Sequence, residues 1–358
     1  MKITFLKGSN CYSHVRVSKF IRYCQERQWN IRAFCWLRNE SVRDHEGRET
    51  YILQGGGFGG RKLLFFYPLW MLMVFFKFLC YKQEKDEIIF AIDFDSAFPL
   101  YLAKKFNRSL RYIYDIHDEF AIRYRLPKII KRFIRWLDRK TRSAAELTIH
   151  VDDIRVSEID DEYIVIHNSP EDFYQERIVD FNEPNERIFC ISGLLTAGRG
   201  MTSLINFAKY SNAKFIVAGE LVDDSAKAFV ALPNVDYLGY ISQAELFCKV
   251  TVCDAIFSLY DPSLEINRLA ASNKLYDAMM LGIPVITNRG LAMTNVVTDL
   301  QCGFVVPFDY DSSWKTILNV SVKDYQQKGQ NGRAEYLTSF SYESNFKKKL
   351  DVIFQPYL

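Results

Sequence analysis

Lys274 and Asp277 stand one helical turn apart in the run Ser272-Asn273-Lys274-Leu275-Tyr276-Asp277-Ala278-Met279-Met280-Leu281-Gly282-Ile283-Pro284-Val285-Ile286. Leu275, Met279 and Gly282-Ile283 recur at helical spacing. Ser272 or Asn273 is the expected N-cap, and Gly282 and Pro284 stop the helix before a buried strand, PVIT. The first turn of a helix carries unsatisfied N–H groups and the positive end of the backbone dipole, so a lysine there makes a site for phosphate. A carboxylate one turn deeper can accept hydrogen bonds from ribose hydroxyls. Upstream, ISGLLTAGRGM (191–201) ends a strand at Gly193 and puts Arg199-Gly200 at another helix start. The planar fork of an arginine chelates a diphosphate while backbone amides approach past glycine. Each segment also has a plainer reading: a βαβ crossover with a surface lysine, and a surface arginine at a helix start.

In the first half, YDIHDE (114–119) follows a strand and sets His117 at its end, and Gly8-Ser9-Asn10 makes the first turn of the chain. A lone histidine in a loop is commonly structural, so His117 carries a role only through its position. Two other motifs are set aside. Gly55-Gly56-Gly57-Phe58-Gly59-Gly60 satisfies G-x-G-x-x-G, but a dinucleotide fingerprint must open a βαβ unit and find an acid at the next strand end. Here an aromatic run follows, although Asp93 ends a later strand. Asp93-Phe94-Asp95 has the D-x-D form of a metal ligand pair and is read instead as a strand end; no metal site is expected.

These residues need strands and turns to carry them. With 358 residues the chain suits two domains, and 49% hydrophobic against 25% charged residues argues for packed cores rather than disorder. Apolar β-rich runs alternate with helical stretches: KITFLK, NIRAFCW, ETYILQ, EIIFAID, RYIYDIH, LTIHV and YIVIH, then RIFCIS, KFIVAG, VDYLG, AIFSLY, PVIT and GFVVPF. Several are continuously apolar, as parallel strands covered on both faces are. The polar, acidic stretch 168–186 with two prolines reads as a linker. Two doubly wound α/β units joined in this way bind ligands at the carboxyl ends of their strands. Eight cysteines without a C-x-x-C pair predict reduced thiols, and MKITFLKGSN lacks the apolar core of a signal peptide, so a cytoplasmic protein is expected.

The spacing around Lys274 resembles the nucleotide-sugar site of retaining GT-B glycosyltransferases of the GT4 type, whose pattern is close to K-x-x-E-A-M-A-x-G-x-P-V-I; Asp277 stands where that family usually has Glu. Gly193 to Gly200 is similar to its G-R-L-x-x-x-K-G, with Arg199 at the Lys position and Leu194 in place of the first arginine. VAGE (217–220) and VDYLGYIS (235–242) look like two further landmarks, the second implying that Tyr240 and Ile241 touch the nucleobase, unless they simply end a strand. The resemblance covers nearly the whole chain and is strongest across 187–307. It implies an α/β GT-B fold, two Rossmann-like doubly wound domains facing a cleft. Residues 1–167 would form the acceptor-side domain, 168–340 the nucleotide-sugar-binding domain, and 341–358 a helix crossing back to the first. It implies sugar transfer from a nucleotide diphosphate donor to a hydroxyl with retention, in bacterial surface-polysaccharide assembly. His117 would touch the donor sugar, Arg199 and Lys274 would neutralise the leaving diphosphate, Asp277 would hold the ribose, Gly8 and Gly193 would let the ligand approach the backbone, and Asn273 would bind substrate. The donor is a substrate; no cofactor, metal or nucleic acid is expected. An NDP-sugar epimerase, a phosphorylase-like enzyme and a silent sugar-nucleotide-binding module remain as alternatives.

Charge adds one more partner. Residues 1–165 hold 29 Lys+Arg against 21 Asp+Glu, or +8; residues 166–358 hold 17 against 22, or −5. The uncharged run LLFFYPLWMLMVFF (63–76) is too short to span a bilayer. In KIIKRFIRWLDRKTR (128–142), Ile129, Ile130, Phe133, Ile134 and Leu137 share one face, while Lys128, Arg132, Arg135, Arg139 and Arg142 take the other. That is the pattern of a helix in an anionic membrane interface, although a core helix or a solvated basic face reads similarly. A peripheral position on the inner face of the cell membrane, beside a saccharide or lipid-linked saccharide acceptor, is the expectation.

Overall fold

The computed structural model describes residues 1–57, 62–123, 126–155, 163–174, 181–184 and 186–357. Phe58, Gly59 and Gly60 of the glycine-rich motif lie outside these. Strands β1 (Lys2–Lys7), β2 (Asn30–Leu37), β3 (Glu49–Gln54), β4 (Glu87–Ile92), β5 (Tyr112–Ile116), β6 (Leu147–His150) and β7 (Tyr163–Val165) form a parallel sheet in the order β3-β2-β1-β4-β5-β6-β7. Strands β8 (Ile188–Leu195), β9 (Lys214–Leu221), β10 (Val235–Tyr237), β11 (Ala255–Ser258), β12 (Val285–Asn288) and β13 (Gly303–Val306) form a second, ordered β10-β9-β8-β11-β12-β13. Every one falls on an apolar run of the sequence, and β1 and β4 are buried along their whole length, which a parallel sheet covered on both faces requires.

Contacts divide the chain into two compact units, Met1–His167 with Lys349–Leu358, and Asn168–Lys348. The terminal segment is fixed to the first unit. Tyr23 Oη donates to Asp351 Oδ1 at 2.8 Å, Lys349 Nζ donates to the Val165 carbonyl at 2.6 Å, and Phe354 packs edge-on against Trp29. In the second unit Trp314 is fully buried against Phe257 and Phe207.

Two helices of the first unit divide their faces. In Leu63–Leu79, the positions Leu63, Tyr67, Trp70, Val74 and Phe78 fill the core, whereas Phe65, Leu72 and Phe76 face outward. Among the described residues no helix is long and apolar enough to cross a membrane. In Lys128–Arg142 the division differs from the sequence expectation. Ile134 and Leu137 pack on the core and Thr141 is buried, while Ile129 and Phe133 stand 77% and 58% exposed, joined by Trp136. Five apolar positions spread over more arc than one contact with the layer beneath can cover, so the helix buries one flank and leaves the other in solvent. The basic residues divide too. Arg135 pairs with Glu119 at 2.5 Å and Arg142 with Asp138 at 3.3 Å, whereas Arg132 and Lys140 lie outward beside Phe133 and Trp136.

Candidate functional site

Each sheet reverses its strand order once, between β1 and β4 and between β8 and β11. At such a point the loops leave in opposite directions and open a crevice at the carboxyl ends of the strands. Gly8 follows β1, Arg199 follows β8 and the helix of Lys274 and Asp277 comes after β11, whereas His117 follows β5 and Tyr240 and Ile241 follow β10.

In the second unit β8 runs through Gly193, whose φ of +99° is in the region that favours glycine. A Cβ there would lie 3.1 Å from Lys274 Nζ, so the ammonium rests directly on this backbone. The helix Asn273–Leu281 begins in the same place. Ser272 occupies the N-cap backbone position, but among the described residues no side chain caps the helix, contrary to expectation. The Ser272 hydroxyl is held instead by Ser258 Oγ at 2.7 Å and Tyr260 Oη at 3.1 Å, and Asn273 Oδ1 accepts from Asn168 Nδ2 at 2.8 Å. The first turn therefore keeps amide donors for an anion. Arg199 lies with its guanidinium 3.8 Å from the centroid of the same Tyr260 ring. Asp277, almost fully buried, accepts from Gln243 Nε2 at 3.3 Å. Gln243 follows the loop of Gly239, Tyr240 and Ile241, which is tied to β9 where Gly219 N donates to the Gly239 carbonyl at 2.8 Å. Tyr240 is 89% exposed and Ile241 half-buried. Gly193, Lys274 and Asp277 thus share the carboxyl ends of the strands with Arg199. Beneath them burial pushes the Cys190 thiol up to about 12, and the nearby Lys274 lowers it only in part.

In the first unit a cavity of about 210 Å³ opens at the ends of β1 and β4, bordered by Gly8, His14, Arg38, Asp93, Asp95 and His117 among others. His117 Nε2 meets Asp115 Oδ2 at 2.7 Å. Asp115 is fully buried and takes two bonds from Arg16, at 3.1 and 2.8 Å. Burial opposes its ionisation, but Arg16 and His117 together hold the carboxyl well below its usual range. The His117 ring stacks on His14 with centroids 5.0 Å apart. Burial, then Lys7 and His117, keep His14 neutral by lowering its pKa, and its Nδ1 accepts from Val17 N at the start of the helix Val15–Glu26. Asp93 does more than end a strand. It sits at φ +64°, uncommon for a residue with a side chain, and its Oδ1 accepts from the His117 amide at 2.9 Å. Burial raises its pKa, and His117, Lys7 and Arg123 outweigh that, so the net shift is downward. Among the described residues no group of three or more His, Cys, Asp and Glu is placed to hold a metal ion.

Sequence reasoning missed Arg38, Asp95, Arg16, Tyr260 and Gln243. The first two approach Gly8 from distant parts of the chain, and only the Asp93-Phe94-Asp95 motif gave any signal. Gln243 lies in the sequence beside the recognised Tyr240-Ile241 pair.

No protein-family model and no curated protein matches the sequence. Solved structures do match over its whole length. HepE of Anabaena in complex with UDP and glucose is similar at 16% identity and a TM-score of 0.67, covering 99% of this chain and 100% of that one. An α,α-trehalose-phosphate synthase (UDP-forming) of Burkholderia vietnamiensis shares 8% identity with a TM-score of 0.64, covering 99% and 100%. A Listeria monocytogenes protein described as a UDP-N-acetylglucosamine 2-epimerase shares 10%, with a TM-score of 0.62, covering 99% and 96%. The likeness is one of fold: two parallel-sheet α/β units of the GT-B kind.

Proposed function

We propose that this chain is a GT-B glycosyltransferase that moves a sugar from a nucleotide diphosphate donor to a hydroxyl. The observation that carries the reading is Lys274 seated on Gly193 at an uncapped helix start, with Asp277 one turn deeper and Arg199 on the ring of Tyr260, whose hydroxyl bonds Ser272 at that helix start. Two cations and a helix N-terminus match the charge of a departing diphosphate. Structures of the same fold that hold UDP, as HepE does, support it. The GT4 resemblance extends the reading to retention, with the leaving phosphate taking the acceptor proton, and to surface-polysaccharide assembly. His117, Gly8, Tyr240, Ile241 and Asn273 keep their proposed contacts with donor and base. Domain limits of 1–167, 168–340 and 341–358 belong to the same reading.

Arg199 and Lys274 fill the role a divalent cation would otherwise take, so neither a metal nor a cofactor is called for. Purified protein is expected to bind UDP by calorimetry and to hydrolyse its sugar nucleotide slowly, equally well with EDTA present. Turnover that stops in chelator and returns with Mg²⁺ or Mn²⁺ would turn the reading toward a metal bridge at the diphosphate. The buried carboxylate pair Asp93 and Asp95 favours a second reading, an NDP-sugar epimerase, since that chemistry needs acid–base carboxylates. Inversion at a sugar carbon of intact UDP-N-acetylglucosamine would decide for it.

A cytoplasmic, peripheral position on an anionic membrane completes the proposal. Its support is the outward flank of Lys128–Arg142, where Ile129, Phe133 and Trp136 stand among Arg132 and Lys140, on the unit that carries the positive charge. Each cation near an anionic surface adds about 1 kcal/mol, decaying within a Debye length. The protein should sediment with anionic vesicles at low salt and leave them as salt rises. Arg132→Glu with Lys140→Glu should release it without loss of sugar-nucleotide hydrolysis. Equal binding to neutral vesicles would assign the contact to the apolar residues alone, and no binding would point to a soluble acceptor.

A further inference from the structure

The cavity at the ends of β1 and β4 is bordered by a carboxyl group and a guanidinium that make no bond to each other. Asp95 is 3% exposed, and among the described residues it makes no hydrogen bond and no ion pair. Its carboxylate is pressed on the backbone of Gly8, where an added Cβ would fall 2.1 Å from Oδ2. Arg38, also buried, is fixed from three sides. Nε donates to the Gly8 carbonyl at 2.6 Å, one terminal nitrogen donates to Tyr67 Oη at 3.0 Å, and the guanidinium lies 4.1 Å from the centroid of Trp36. A third polar group lies near Gly8, outside the residues that border the cavity. Trp70 Nε1 is buried with no partner among the described residues, 3.4 Å from that same point over Gly8.

Burying a carboxylate and a guanidinium side by side without a mutual bond is costly unless something bonds them. Water can do so in part. A ligand that offers a hydroxyl proton to Asp95 and a hydroxyl oxygen to Arg38 does so fully, because neighbouring hydroxyls on a sugar ring are both donor and acceptor. An anionic group gains little, because the three carboxylates Asp93, Asp95 and Asp118 match the three cations Lys7, Arg38 and Arg123 around the cavity. The volume of about 210 Å³ is below the roughly 300 Å³ at which pockets for drug-sized ligands begin, which suits one ring rather than an oligosaccharide.

We infer that this cavity binds a single neutral sugar ring, with Asp95 accepting from one hydroxyl and Arg38 donating to its neighbour. Calling that ring the terminal residue of the acceptor rests on the glycosyltransferase reading; the binding itself does not. Burial, then the charge of Asp93, raise the Asp95 pKa to about 6, and Arg38, Arg123 and Lys7 pull it down only in part. The charged acceptor is thus present above that pH and lost below it.

The test uses the whole protein, methyl hexosides as neutral probes, their 6-phosphates and inorganic phosphate as anionic ones, and saturation-transfer NMR as readout. UDP binding is measured in the same samples. At least one neutral hexoside should bind at pH 7.5, more tightly than its 6-phosphate. Its affinity should fall severalfold by pH 5 in the unmodified protein. Asp95→Asn should weaken it about tenfold or more and flatten the pH dependence, with an unchanged melting curve and the unmodified pattern of first-unit methyl NMR signals reporting that the fold is intact. Preference for the phosphorylated probes, no binding of any hexoside, or an unchanged pH profile would overturn the inference. Failure to bind UDP while hexosides bind would instead sink the glycosyltransferase reading and leave the sugar site standing.

Discussion

Lys274→Ala and Arg199→Ala are each expected to lower turnover at least about tenfold while leaving thermal stability within about 0.5 kcal/mol of the unmodified protein. The two halves of that expectation have separate grounds. Among the described residues neither side chain makes an ion pair or a side-chain hydrogen bond. Lys274 rests on the Gly193 backbone and Arg199 on the face of Tyr260. Removing them strands no buried partner, so the fold has little to lose. A cation kept unpaired beside open helix amides has its counter-charge in the ligand. A charge-assisted contact of this kind is worth roughly 1.5–3 kcal/mol, which is about ten to a hundredfold in rate when the charge grows on the leaving diphosphate. Steady-state kcat/KM for donor turnover reads this directly, and melting curves check the fold. Near-normal kinetics in both variants would dismiss the diphosphate site.

Lys274 was legible from sequence because its surroundings are local. A helix start, an acid one turn on and a Gly-x-Pro stop fall within fifteen residues, and the same holds for Gly193 through Arg199. The strands were legible for a related reason: a parallel sheet covered on both faces writes its burial as continuous apolar runs. What the sequence could not supply was the meeting of residues far apart in the chain. Arg38 and Asp95 reach Gly8 from the ends of different strands, and nothing in the spacing of D-x-D separates a metal ligand pair from a buried acid against a glycine. Ser272 illustrates a subtler limit. Its type suited an N-cap, but Ser258 and Tyr260 claim the hydroxyl, a tertiary competition that no local rule contains. The helix Lys128–Arg142 was legible as an amphipathic helix, but amphipathic spacing shows the width of an apolar arc and not which part of it the neighbouring layer takes.

The largest stability effect is expected at Arg16, where substitution by alanine should cost about 3–5 kcal/mol, seen as a lower denaturant midpoint with little change in slope. Arg16 stands in the first turn of the helix Val15–Glu26, the end where the helix dipole disfavours a cation, so its position is owed to its partners. Those are Asp115, which it grips with two nitrogens, and the Ile166 carbonyl, 2.5 Å from the third. Both charged side chains are essentially without solvent. Truncating the arginine leaves the buried carboxylate without its two guanidinium bonds and with its contact to His117. Replacing Arg16 by Met and Asp115 by Leu together should recover most of the loss, because a buried pair is costly to break but not to exchange for packed apolar groups. Acid supplies an independent check. The Asp115 carboxyl lies below its ordinary 3.8 in the folded protein, so its contribution is present above about pH 4 and lost as pH falls through the depressed value. Without Arg16 that value rises, and the acid loss should begin at higher pH than in the unmodified protein. A midpoint within about 1 kcal/mol of the original would mean that water enters the site and that the pair does not hold His117 in place.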